Sequence, residues 1–155
     1  MATDLSGAIY DWLLEADAAE DYRDLVVSEN IKEAGFIDVA LLNSAQTTRR
    51  SAESSQILAT SVQDNGDAPF PVSNEHATVT IRHYDRGYGY KHLRLARDML
   101  REVLREFSTT LDAVAGRRRG VLTLDYAGRT GHRRDTVTNC DWEALTFIGT
   151  LLVEE

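Results

Sequence analysis

The chain has 155 residues, 43% of them hydrophobic and 27% charged, and a formal net charge of −8. These are ordinary globular values and read as a single domain over residues 1–155, long enough to bury a core. The acidic balance disfavours wholesale nucleic-acid binding, and no apolar run approaches the roughly 18 residues of a membrane span. The first residues, Met1-Ala2-Thr3-Asp4, lack the basic and apolar regions of a signal peptide. A single cysteine, Cys140, excludes an internal disulfide and a Cys-rich zinc site. The expected setting is a cytoplasm, or a particle assembled in one. The 17 basic residues comprise only Lys32 and Lys91 beside 15 arginines. That depletion of lysine fits a GC-rich genome or a high-salt cell, and speaks to the host rather than to the activity.

Residues 4–15 read as a helix with Leu5, Ile9, Trp12 and Leu13 on one face. Asp17-Ala18-Ala19-Glu20 has capping-box spacing and predicts a short second helix. Ser28 to Ala34 predicts a further helical turn or two, closed by Gly35. Ile37, Val39 and Leu41 alternate as a strand would, although Val39-Ala40-Leu41-Leu42 suits a helix equally well. Leu58, Thr60 and Val62 suggest an antiparallel mate for it. The polar link between them, with Arg49 and Arg50 at its middle, predicts a long, flexible hairpin over 43–55. Asp64 to Pro71 reads as a turn and an extended run.

Residues 77–84 alternate as a strand, and Asp85 to Gly89 forms a glycine-containing corner. Tyr84, Tyr88 and Tyr90 around that corner are expected to close the packing of sheet on helix. Tyr90 to Leu111 is the longest helical pattern. Its apolar stripe is Leu93, Ala96, Leu100, Val103, Leu104, Phe107 and Leu111. Arg94, Arg97, Asp98, Arg101, Glu102, Arg105 and Glu106 make the solvated face. Gly116 to Gly120 reads as a basic turn, Val121 to Tyr126 as a strand, and Ala127 to Asn139 as a polar loop. Trp142 to Val153 is a closing strand with Leu145, Phe147, Leu151 and Val153 on one face. This order predicts an α+β fold, in which an antiparallel or mixed sheet packs against a long helix and an N-terminal helix.

The residues point to no enzyme. His76, His83, His92 and His132 show no paired-ligand spacing and read as ordinary polar histidines, and Cys140 as a half-buried small residue. Gly87-Tyr88-Gly89 lacks the other positions of a phosphate loop, and there is no Gly-x-Ser-x-Gly elbow. What stands out is arginine. Arg117, Arg118 and Arg119 precede one predicted strand, and Arg129, Arg133 and Arg134 follow it. If both groups flank that strand, six arginines line one region, as a contact for nucleic acid or for an acidic protein surface, or as solvated turns. For direct nucleic-acid binding the solvated reading is favoured, and contact with another protein chain stays open.

The order and character of these segments resemble the tail-terminator, or tail-completion, proteins of long-tailed phages and archaeal tailed viruses. The resemblance rests on the N-terminal amphipathic helix and the proline-containing lead-in Ala68-Pro69-Phe70-Pro71-Val72. It continues through the strand from Ala77 to Asp85, the long helix directly after it, Val121 to Tyr126, and the closing strand Trp142 to Val153. It covers roughly residues 1–15 and 68–155, and 28–63 do not match. What it implies is a small α+β protomer without catalytic site, metal or cofactor. Such protomers form a ring, typically a hexamer, that caps the tail tube and joins it to the head connector or stopper protein while genomic DNA passes through unbound. The location implied is the tail or neck of a virion. On that reading Arg49, Arg50, Arg117, Arg118, Arg119, Arg129, Arg133 and Arg134 are candidate contacts to neighbouring protein. An acidic, lysine-poor chain suits a virus of a halophilic host, and an actinobacterial phage fits as well. Two other classes stay open: another head–tail joint, such as a stopper or tail-tube protein, and a stand-alone small-molecule-binding α+β domain.

Overall fold

A computed structural model describes residues 5–26, 30–32, 57–69, 74–86, 90–107, 110–114, 117–135 and 140–154. The elements run α1 (Leu5–Glu15), a 3-10 turn (Asp17–Ala19), α2 (Glu20–Leu25), β1 (Ile31–Lys32), β2 (Ile57–Pro69) and β3 (Asn74–Arg86). Then come α3 (Tyr90–Arg105), β4 (Thr110–Val114), β5 (Arg117–Arg129), β6 (Arg133–Asp135) and β7 (Cys140–Glu154). The strands form one sheet in the order β1-β2-β3-β7-β5-β4, with β6 also paired to β7. Among the described strands only β1 and β2 pair in parallel, so the sheet is mixed and the fold is α+β.

The helices cover one face of that sheet. Val62, Val79, Ile81, Leu145 and Phe147 contribute the sheet's side of the core. They sit in register: Val62 opposite Ile81, Ile81 opposite Leu145, and Val79 opposite Phe147. Above them lie Leu5, Ile9 and Leu13 of α1 and Ala96, Leu100, Val103 and Leu104 of α3. The period-3.6 stripe read from the sequence is thus the buried stripe through Phe107. Trp12 meets Phe107 edge-on, with ring centroids 5.5 Å apart, and pins α1 to the end of α3.

Several boundaries differ from the sequence reading. The long helix stops at Arg105, and Leu111 belongs to β4. Leu111 lies four residues after Phe107, so its spacing imitates the stripe. Thr109 and Thr110 are poor helix formers, and pairing with β5 captures the chain instead. Arg117, Arg118 and Arg119 are in β5 rather than in a turn, since Val114 pairs with Arg117 and leaves two residues between them. Asp64 to Pro69 is not a turn. β2 runs through it, and a register shift between Asp64 and Asp67 absorbs one extra residue as a bulge. Ile31 and Lys32 are strand, paired with Thr60 and Ser61, where a helical turn was expected. The capping box does not form: Asp17 opens the 3-10 turn, and α2 begins after Ala19 without a side-chain cap.

Within the polar loop expected over 127–139, residues 127–129 and 133–135 are sheet, and 136–139 lie outside the described residues. β5 extends to Arg129, and β6 then takes its place beside the start of β7. Between them Thr130 still bonds Ala144 through its backbone N–H (3.0 Å), and its hydroxyl accepts from the Ala144 N–H (3.1 Å). Gly131 then turns the chain at φ 78°, a conformation that favours glycine. Tyr84 is buried, but alternation puts it on the face opposite His83, away from the helices it was expected to pack on. The strand expected at 37–41, the hairpin 43–55 with Arg49 and Arg50, and Tyr88 lie outside the described residues.

Phe107→Ala is expected to cost about 3–5 kcal/mol, because it empties a buried aromatic site that also holds Trp12. Urea unfolding measures this, and a loss below about 0.5 kcal/mol would place the ring at the surface.

Candidate functional site

At one end of the helix-covered face the sheet turns polar. Next to the apolar row Val62–Ile81–Leu145 lies the row Thr60–His83–Glu143, across β2, β3 and β7. All three polar residues are buried. Period-2 alternation dictates this, since His83 follows Val79 and Ile81, and Glu143 precedes Leu145 and Phe147, on the inward positions.

Tyr22 of α2 reaches down onto this row. Its hydroxyl lies 2.7 Å from Thr60 Oγ1 and 2.7 Å from His83 Nε2. Burial pushes the His83 pKa from 6.5 down to about 3 and raises that of Tyr22 well above the ordinary tyrosine value. The three groups are therefore a neutral hydrogen-bonded set at pH 7. Their shared bonds satisfy polar atoms that would otherwise be costly to bury. His83 is fully buried, so no substrate reaches it as a base.

Glu143 is the charged member. It is 1% exposed, and Arg129 Nη1 donates to its Oε2 at 3.0 Å. Arg97 of α3 brings Nη1 to 3.5 Å from Oε1, an ion pair longer than a good hydrogen bond. Arg97 is accordingly 15% exposed and does not belong to the solvated face assigned to it from the sequence. Nearby, Asp141 receives His132 Nε2 at 2.8 Å and Arg134 Nη1 at 3.4 Å.

The candidate arginines thus separate into groups. Arg117, Arg118 and Arg119 start β5, whereas Arg129 ends it. Arg118 pairs with Glu154 and Arg129 with Leu145 of β7, which puts roughly 30 Å between those ends, so the two groups do not line one region. Arg129 and Arg134 are held by carboxylates of their own chain. Arg133 stands exposed on β6. Cys140 is fully buried rather than half-buried. Among the described residues no group of three or more His, Cys, Asp or Glu is placed to hold a metal ion. The sequence reading missed the Tyr22–His83–Thr60 set and the Arg97–Glu143–Arg129 set. The signal available was the alternation that puts His83 and Glu143 in phase with core residues.

Two measurements check this site. Glu143→Gln removes a buried charge from between two arginines and is expected to cost about 1–3 kcal/mol in urea unfolding. His83 gives a pH signature. Folded, it stays neutral down to about pH 3; unfolded, it takes a proton near pH 6.5. The unfolded chain binds more protons between those values, so this contribution to stability declines as pH falls from 6.5 toward 3. The stability difference between the wild type and His83→Gln should slope in that window and be flat above it. A difference that is flat throughout would show that His83 titrates alike in both states.

No family profile matches this chain, and no curated protein matches it. Among solved structures it is similar to a chain of a particle described as "Virion of native gene transfer agent (GTA) particle". The TM-score is 0.57 at 13% sequence identity, covering 95% of this chain and 93% of the other. The two share a fold over nearly their whole lengths.

Proposed function

We propose that this chain is a structural protein of a phage-like virion, and that it forms a ring which terminates the tail tube and joins it to the head connector. The observation that carries this reading is the fold shared over 95% of the chain with a component of a gene transfer agent virion. The resemblance of residues 1–15 and 68–155 to tail-terminator proteins supports it from the sequence side. So does the chemistry of the buried polar row. Its groups are neutral or paired and closed to solvent, which suits a protomer that binds protein rather than a substrate.

In this reading the chain is one domain and the ring a hexamer. Its partners are copies of itself, the tail-tube protein and a connector or stopper protein, and DNA passes through without specific binding. It works without a cofactor and resides in the tail or neck after assembly in the host cytoplasm. Arg133 is the candidate contact with the best placement, exposed on the three-residue strand β6. Arg49, Arg50, Arg117, Arg118 and Arg119 remain candidates in the same role. A stopper or tail-tube protein is the second reading, since the shared fold is that of a virion component.

Negative-stain images and light scattering of the purified protein test the ring. A closed ring with a central hole is expected, and a compact monomer at all concentrations would refute it. Arg133→Glu is expected to leave folding intact and to reduce joining to tails. Normal joining with altered DNA retention would instead put Arg133 on the channel wall.

A further inference from the structure

The long helix α3 is polarised in cross-section. At about 100° per residue, Arg94, Arg97, Arg101 and Arg105 fall on one flank of the buried stripe. Leu95, Met99, Glu102 and Glu106 fall on the other. Each flank borders a surface groove. On the acidic side a cleft of about 280 Å³ lies between α3 and the α2 region, with Met99 and Val103 at its floor and Asp21, Glu102 and Glu106 around it. Leu95, on the same flank, is the exposed large hydrophobic among the described residues, at 39%. On the basic side a smaller groove of about 110 Å³ lies between α3 and β5, where Arg101 and Arg105 stand over Leu124, Tyr126 and Phe147, and Asp125 is the one acidic residue in the lining. Arg101 is stacked on the Tyr126 ring, 4.1 Å from its centroid, which holds the guanidinium in place.

We propose that these two grooves are the two halves of one protomer–protomer contact: the arginine flank of α3 docks into the acidic groove of the next copy. The occupant is a second copy of this chain because complementary surfaces lie on opposite flanks of one helix. A two-fold contact of either groove with itself would bring like charges together, whereas a head-to-tail contact sets the basic flank of one copy against the acidic groove of the next. A head-to-tail contact is the kind that builds rings. Apolar Met99 and Val103 under an acidic rim match a guanidinium seated over an aromatic ring. Within each chain Glu102 and Arg105 form an ion pair at 3.1 Å, both more than 70% exposed. Such exposed pairs contribute little, so they exchange readily for partners across an interface. The inference rests on the ring assembly proposed above, and adds the surface that makes the ring.

Charge reversal tests it. One variant carries Glu102→Lys and Glu106→Lys; the other carries Arg101→Glu and Arg105→Glu, with Arg105→Glu alone as a version that keeps the Tyr126 contact. Thermal melts confirm that each folds, and light scattering reads self-association. Each variant alone is expected to associate at least about tenfold more weakly, because like charges now face each other. Mixed in equal amounts, the two double variants present only opposite charges at every contact and should recover rings of alternating subunits. Folded variants that each assemble like the wild type overturn the proposal, as does a mixture that stays dissociated while the wild type forms rings. A wild type that is monomeric throughout overturns both this contact and the ring. Rings restored in the mixture that fail to join tails keep this contact and remove the tail-terminator role.

Discussion

One step on the inner face of the sheet governs the rest of the structure. The row Val62–Ile81–Leu145 is apolar and the adjacent row Thr60–His83–Glu143 is polar, yet both are covered by helices. Burying polar groups is costly unless each finds a partner. Tyr22 supplies one by bonding Thr60 and His83, which fixes α2 over β2 and β3. Arg97 and Arg129 supply the other at Glu143, which ties α3 and the end of β5 to β7. The apolar core drives the collapse of helices onto sheet, and the polar row sets their register upon it.

That division has a consequence for the surface. α3 turns Arg97 inward to Glu143, whereas Arg101 stays at the surface and is positioned over Tyr126 of its own sheet. A charge positioned in this way loses less freedom on meeting a partner than a free surface side chain does. The opposite flank is acidic and partly apolar. A helix placed between neighbours in the proposed ring has a use for charges sorted in this way.

The likeness to a virion chain at 13% identity shows how little of this fold is carried by particular residues. A mixed sheet with helices on one face needs the right periodicities and a filled core, and many sequences meet those needs. The buried polar row and the charge-sorted helix are features of this chain's own residues.

The sequence alone determined the α+β class, the stripe of α3 through Phe107, the inward face of α1, and the strands β3 and β7, because each carries its own periodicity. It also contained the alternation that sends His83 and Glu143 inward, although their histidine and carboxylate chemistry suggested a polar surface. Only the tertiary structure decided the rest. Leu111 keeps the helical period but pairs as strand, because ladder bonds to β5 outweigh a weak local preference. Asp64 to Asp67 looks like a turn and becomes a bulge, because β3 offers a continuous partner. The arginines of β5 look adjacent across a short strand and end at its two extremities, since an extended chain separates what a loop would gather. Arg97 looks solvated and is drawn to Glu143, a residue 46 positions later that no local pattern could connect to it.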